Sequence, residues 1–457
     1  MDGIRNASIL NIIEPLGYLF YAVNPSKHSF ETVEEVPNYV DQVIPFFLTL
    51  FILEQVILRY QKKPTLRVND AVSSITQGVL EELSKIFFRS WTVVTYIYVY
   101  NNYKIIALPW NSWWTWFIAL TAIDFLYYWG HRASHEINFL WAAHQVHHSS
   151  EEYNLSTALR QSVFQGYFLS FFYVPLALAI PPSIYLVHTE LNLLYQFWIH
   201  TETINSLGPL EYIFNTASHH RVHHGRNRYC IDKNYGGTLI IWDRMFGTFE
   251  PEGEKVVYGL THPINTFEPI YIQLCHFLHI WRTFWITEGF RNKLSVIFKG
   301  PGWAPGLPWH GQIEDIPDVK APMEKYDPQI PMWCKLYLVL HFVILNLGYV
   351  AVSHMHQDLP TSVVVGVIVF EIFSLSNLGM LSDARSHAPW IELVRCTAFL
   401  ALDYFIFPIT QLIPIPYIYQ IVAAVFVRTV YIISFCGWLK GCIKTISFKL
   451  HSTKKVE

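Results

Sequence analysis

The sequence predicts an all-α protein: a polytopic membrane helix bundle with a helical metal-binding cap on its cytosolic side. Three observations carry this prediction. Hydrophobic residues make up 52% and charged residues 15% of the 457 residues, with a mean hydropathy of +0.25, which is more apolar than a water-soluble domain of this length. The apolar residues come in runs long enough to cross or re-enter a bilayer. Eleven of the 21 histidines crowd between His131 and His224, against the ends of those runs.

In chain order, Met1 to Pro15 holds no sustained apolar core, so no cleavable signal peptide is expected and the membrane runs themselves direct insertion. The Asn6-Ala7-Ser8 sequon could carry sugar only on a luminal N-terminus, and Asn154-Leu155-Ser156 sits too near the histidines to be luminal. Apolar runs follow at Ile44–Leu58, Ile86–Leu108, Trp113–Tyr128, Val163–Val187 and Leu191–Ile199, the last too short to span alone. A second group lies at Trp333–Val352, Val363–Leu381, Thr397–Leu412 and Tyr417–Leu439. Trp and Tyr gather at several run ends, as in interfacial belts. Pro181 and Pro414 interrupt two runs, which could re-enter rather than cross. Between the groups, Arg282–Ile330 is polar and rich in Pro and Gly, and reads as a cytosolic linker. The expected organisation is an N-terminal membrane region over 1–110, a histidine-bearing domain over 111–255, a linker over 256–330 and a C-terminal membrane region over 331–457. The terminal Lys454-Lys455-Val456-Glu457 is similar to a dilysine retrieval signal, which implies a multi-pass endoplasmic reticulum membrane protein with its histidines and C-terminus in the cytosol.

The histidines form three boxes: HRASH with His131 and His135, HQVHH with His144, His147 and His148, and HHRVHH ending in His220, His223 and His224. About 0.04 copies of the HxxHH pattern are expected by chance in a chain of this composition, and there are two. Residues three and four apart share a helix face, so each box is expected to aim its imidazoles at a single point just outside the membrane. Eight imidazoles exceed what one four-coordinate zinc can use, whereas two metals with five or six ligands could use them and keep positions open for water or dioxygen. His200, in WIHTE, has two readings, a ninth ligand or a hydrogen-bonded core residue. His188 and His219 are weaker candidates, since His219 points off the face of its own box.

Three carboxylates accompany the boxes. Asp124 lies two turns before His131 on the same face, deep in an apolar run, and is expected to hydrogen-bond a ligand histidine. Glu136 and Asp243 could orient a histidine, bind a cofactor or pair with an arginine. All-nitrogen ligation suits iron and dioxygen, but also zinc, copper and nickel.

Other classes are disfavoured. A net charge of −3 without a basic stripe argues against nucleic acid as a partner. The six cysteines form no CxxC pair, and there is no HExxH, Walker A or GxSxG motif. GPGWAPG at Gly300–Gly306 has two prolines and no preceding strand, so it is no dinucleotide loop. A metal site at the lipid surface suits oxidation of an unreactive alkyl chain. The non-enzymatic alternative, a metal transporter or histidine-rich structural protein, lacks ligands repeated across several spans.

HRASH, HQVHH and HHRVHH, with a hydrophobic hairpin between the second and third, resemble the histidine boxes of the fatty acid hydroxylase/sterol desaturase superfamily over Phe117–Glu250. WIHTETI, the run from Ala217 to Glu252 and the additional C-terminal membrane region are most similar to the branch that cleaves alkylglycerol ether lipids. The resemblance implies a di-iron centre on the eight box histidines and dioxygen as co-substrate. It also implies hydroxylation of the ether-linked carbon and collapse of the hemiacetal to a fatty aldehyde and a glycerol derivative. The implied reductant is tetrahydrobiopterin, although the chain shows no pterin signature. The nearest alternative is a cytochrome b5-dependent fatty acid or sterol hydroxylase or desaturase.

Overall fold

A computed structural model describes residues 14–412 and 417–453; the Asn6 sequon, Pro414 and the terminal Lys454–Glu457 lie outside them. Among the described residues there are helices and no strands, with isolated antiparallel bridges only at Phe214–Leu239 and Gly225–Tyr258. The longer helices are α1 (Tyr39–Tyr60), α2 (Val68–Tyr103), α3 (Trp113–Glu136), α4 (Asn138–His148), α5 (Gln165–Tyr173), α6 (Pro182–Trp198) and α7 (Ala217–His223). They continue with α8 (Ile241–Phe246), α9 (Pro269–Ile286), α10 (Phe290–Phe298), α11 (Met332–Met355), α12 (Thr361–Ser382), α13 (Ala388–Phe405) and α14 (Tyr417–Thr453). The chain divides into two compact units, one holding residues up to Ile264 with Gln273–Lys325, the other Asn265–Ile272 with the chain from Tyr326 onward.

Among the described residues, four helical segments are long and apolar enough to cross a membrane: Tyr39–Tyr60, Met332–Met355, Thr361–Ser382 and Ile418–Lys444. They make this a multi-pass membrane protein. On α1 the side chains of Leu48, Ile52 and Val56 are 60–65% exposed, an apolar stripe that only lipid covers without cost. Val163–Val187 is not one continuous span. Its nine-residue α5 runs into a 3-10 turn at Val174–Leu178, and Pro182 begins α6 after a break. Proline cannot donate a backbone hydrogen bond, so the chain reverses there. The carbonyls freed at the tip are taken up by the segment after α2: Ile105 N–H donates to Leu178 O at 2.8 Å and Leu108 N–H to Ala179 O at 3.1 Å. Leu191–Ile199 is the last part of α6 and ends in the turn that carries His200.

The segment 256–330 carries helices α9 and α10; its residues 265–272 and 326–330 belong to the second unit, and its stretch from Lys299 to Lys325 is fastened within the first. Trp309 Nε1 donates to Glu136 O at 2.9 Å, Arg228 Nε to Ile316 O at 2.7 Å, and Lys325 Nζ to Glu152 Oε1 at 2.8 Å.

The first half of α2 inverts the usual pattern, for Asn69, Asp70, Ser73, Ser74, Thr76 and Gln77 are buried. Ser73 and Ser74 face the turn Leu155–Arg160, where Arg160 is fully buried and donates to Ser74 Oγ at 3.1 Å and Ser149 Oγ at 2.9 Å, while Asp70 accepts from Ser150 Oγ at 2.6 Å and Gln77 from Gln273 Nε2 at 2.7 Å. The approach is closest at Gly78, where a Cβ would stand 2.5 Å from Leu159 O. Because that neighbour is backbone, it cannot swing aside. Gly78→Ala is expected to destabilise the chain by about 1–3 kcal/mol through overpacking, seen as a lower Tm in detergent; an unchanged Tm would contradict this packing.

Candidate metal centre

Three helix termini and one turn bring nine histidines together. The end of α3 supplies His131 and His135, and α4 supplies His144, His147 and His148. The turn after α6 supplies His200, and α7 with its cap supplies His220, His223 and His224. All nine are buried, and they sort into two groups that could each hold a metal ion: His131, His135, His144, His148 and His223, and separately His147, His200, His220 and His224. Within each group the candidate ligand nitrogens lie within 4.8 Å of one another.

The first box stays whole in the first group, whereas the second and third are divided. Residues four apart are turned by about 40° and residues three apart by about −60°, so i and i+4 stay together while i+3 diverges from i+4 by about 100°. His144 and His148 serve the first group while His147 joins the second; His220 and His224 serve the second while His223 crosses to the first. The expectation that each box addresses one point holds for HRASH and is corrected by this geometry for HQVHH and HHRVHH. His200 completes the second group, which would otherwise hold three histidines.

The direction of each ring is fixed from outside. His131 Nδ1 lies 2.7 Å from Tyr235 O, His147 Nδ1 3.0 Å from Arg160 O, His200 Nδ1 2.7 Å from Gln196 O and His223 Nδ1 2.9 Å from Lys233 O. A carbonyl only accepts, so each of these Nδ1 atoms carries the proton. Burial holds His131, His200 and His223 well below the usual imidazole pKa and lowers His147 to about 4, so the rings are neutral and Nε2 is a bare lone pair. His147 Nε2 and His200 Nε2 nevertheless face each other at 3.2 Å. Neither has a proton to offer the other. Two opposed lone pairs repel unless a cation lies between them, and a metal about 2.1 Å from each of two adjacent imidazoles sets their nitrogens about 3.0 Å apart. The same spacing recurs at His131–His144, His144–His148 and His200–His220, each 3.0 Å between Nε2 atoms. The buried Nε2 atoms of His135 and His223 have no hydrogen-bond partner, as expected of metal ligands. The donor set fits a pair of nitrogen-ligated metals.

The carboxylates act one layer further out. Asp124 does not touch a histidine. It accepts from Thr238 N at 2.7 Å, Leu239 N at 3.1 Å, Trp242 Nε1 at 2.9 Å and Asn192 Nδ2 at 2.8 Å, and so anchors the loop that follows Tyr235. Asp243 accepts from Tyr235 N and Gly236 N, both at 2.8 Å, and fixes the residue whose carbonyl orients His131. Glu136 pairs with Arg132 at 2.8 Å. His188 lies in the core, 2.7 Å from the Tyr21 hydroxyl and with its ring tilted against Trp116, and His219 packs edge-on against Phe249; neither joins a group.

Sequence reasoning missed the carbonyls of Arg160, Lys233 and Tyr235, and Asp232, whose Oδ1 is 3.7 Å from His135 Nδ1. Gln196 was open to detection, since it stands four residues before His200 on the same helix. The others depend on loop paths that leave no side-chain pattern. Asp243→Ala leaves two buried N–H groups unsatisfied and frees Tyr235. It is expected to weaken metal affinity about 10–100-fold, read as metal per chain after dialysis against graded chelator; wild-type retention would contradict the role given to Asp243.

Comparison with known proteins agrees with this geometry. Residues 116–248 match the fatty acid hydroxylase family, and residues 334–421 match the alkylglycerol monooxygenase C-terminal domain. The chain is 48% identical over 457 residues to an alkylglycerol monooxygenase of Xenopus tropicalis, covering 100% of both chains. It is 55% identical over 388 residues to the human alkylglycerol monooxygenase, covering 85% of this chain and 87% of that one. The Danio rerio protein of the same name is 49% identical over 401 residues, with 87% and 90% covered. No solved structure matches. The chain therefore belongs to the alkylglycerol monooxygenase family, as a membrane-bound monooxygenase with a fatty acid hydroxylase domain and a second, C-terminal domain.

Proposed function

We propose that the chain is a di-iron monooxygenase that hydroxylates the ether-linked carbon of alkylglycerol lipids, with tetrahydrobiopterin as reductant. The observation that carries this reading is the pair of buried histidine groups with opposed, unprotonated Nε2 atoms, in a chain whose full-length relatives bear the name alkylglycerol monooxygenase. His131, His135, His144, His148 and His223 would hold one iron, and His147, His200, His220 and His224 the other. When bound, the iron pair supplies the activation of dioxygen that unreactive C–H bonds require.

The chain's own residues do the rest. The carbonyls of Arg160, Gln196, Lys233 and Tyr235 keep the protons on Nδ1 and the lone pairs inward. Burial of every ligand excludes water that would intercept the oxidant. Tyr153 stacks on His200 with ring centroids 5.6 Å apart and closes the second group on one side. In balance, one oxygen atom of dioxygen enters the C–H bond beside the ether oxygen and the other leaves as water, with two electrons and two protons from the reductant. The hemiacetal so formed breaks its C–O bond to the glycerol, giving a fatty aldehyde and a free glycerol hydroxyl. The favoured setting is the endoplasmic reticulum membrane with both histidine groups facing the cytosol.

The test is direct. Iron-loaded full-length protein, given an alkylglycerol, dioxygen and tetrahydrobiopterin, is expected to release fatty aldehyde, and His147→Ala to lower the rate at least about 10³-fold, since an interaction needed only for the chemical step is lost. Aldehyde formed with reduced cytochrome b5 and not with the pterin would favour the cytochrome-dependent hydroxylases. Undiminished activity in the variant would end the di-iron reading.

A further inference from the structure

The second unit buries polar atoms that nothing in it satisfies. On α12, Glu371 Oε2, Ser374 Oγ and Asn377 Oδ1 have no hydrogen-bond partner, and the three residues are 4%, 0% and 0% exposed. They recur every three residues, so they follow one side of the helix. Glu371 stands midway along a candidate membrane span. On α11, Gly348 makes room for its carboxylate: a Cβ there would come within 2.6 Å of Glu371 Oε1. Asn377 Nδ2 donates to Glu392 Oε2 at 2.5 Å, which fixes the amide and leaves its oxygen over.

The neighbouring basic groups are already committed. Arg395 donates through Nε to Glu392 at 2.8 Å, through Nη1 to Tyr431 Oη at 2.9 Å, and through Nη2 to Glu392 Oε1 and to His341 Nδ1, the latter at 2.8 Å. A guanidinium only donates, so His341 Nδ1 accepts and the ring proton sits on Nε2, which donates to Ser434 Oγ at 2.9 Å. His341 is therefore neutral. Arg395 and Glu392 cancel, and an ionised Glu371 leaves the cluster with one negative charge.

A buried charge in a membrane bundle is costly unless it is paired, and buried acceptors need donors or a cation. What is left over here is a set of hard oxygen atoms, a carboxylate, a hydroxyl and an amide carbonyl, of the type that binds hard cations. We propose that the C-terminal bundle holds a monovalent cation between Glu371, Ser374 and Asn377. An alkali ion and a small primary ammonium offer the same charge and the same complement to three acceptors. The site is separate from the histidine groups and lies within the part of the chain that matches the C-terminal domain, residues 334–421.

The test uses the full-length protein in detergent and needs no iron or turnover, so it stands apart from the oxidation chemistry. Thermal unfolding is followed in sodium, potassium, ethanolamine or N-methyl-D-glucamine chloride at equal ionic strength. At least one of the first three is expected to raise Tm saturably above the bulky N-methyl-D-glucamine reference. A response to the alkali ions alone identifies an alkali ion, and a response to ethanolamine alone identifies a small primary ammonium. Glu371→Gln is expected to abolish the increment. Ser374→Ala, which removes a hydroxyl that bonds to nothing and so leaves the fold intact, is expected to raise the half-saturating concentration about tenfold. Equal Tm in all four salts, a full increment in E371Q, or unchanged half-saturation in S374A would each overturn the proposal; in the first case Glu371 is a neutral acid.

Discussion

The grip of backbone carbonyls on imidazole Nδ1 is the constraint on which the rest of the site depends. A histidine offers two nitrogens, and a free ring could present either. Four of the nine rings are denied that choice, because the carbonyls of Arg160, Gln196, Lys233 and Tyr235 accept only from N–H. Those carbonyls must themselves be located, and the buried charged residues nearby serve this purpose. Arg160 is held by Ser74, Ser149 and the Val146 carbonyl, and its own carbonyl then meets His147. Asp243 and Asp124 pin the peptide groups on either side of the loop that begins at Tyr235. An acid at the centre of an apolar helix, costly in isolation, is thus stabilised by four donors and fixes a loop 110 or more residues away in the chain.

Much of this was legible in the sequence, and the failures have identifiable causes. Apolar run lengths gave the all-helical membrane class, and the boxes gave eight of the nine clustered histidines, because helical spacing and metal chemistry both leave a mark on residue order. His200 was ambiguous because a lone histidine carries no such mark; its neighbours in the second group come from α4 and α7, far away in sequence. The division of the second and third boxes between two groups follows from the 100° step of the helix, but which face meets which partner is a tertiary matter. Asp124 was singled out as a buried acid that would bond a ligand histidine, but its partners are two loop N–H groups, the Trp242 indole and the Asn192 amide, and no histidine. Val163–Val187 is one apolar run by hydropathy, which does not register a chain reversal, but Pro181 marked it as a run that could re-enter, and the break lies at that place.

The two units treat polarity in membranes differently. In the first, exposed apolar Leu48, Ile52 and Val56 on α1 coexist with a buried polar stretch in which Asp70, Ser73, Ser74 and Gln77 are bonded by Ser150, Arg160 and Gln273, while the Asn69 amide is left without a partner among the described residues. In the second, the Arg395–Glu392 pair is saturated by Tyr337, His341, Asn377 and Tyr431, while the next turns of α12 keep unsatisfied oxygens. Polar burial that is fully satisfied fixes a structure; polar burial left open marks a place for something else.

The central claim is that two nitrogen-ligated metals sit in the two histidine groups. Iron quantification combined with X-ray absorption at the iron edge, on protein purified with its metal retained, tests it most directly. The account predicts two irons per chain with nitrogen and oxygen scatterers at about 2.1 Å, no sulfur, and a second iron within a few ångströms. A single metal per chain, or sulfur in its first shell, would contradict it.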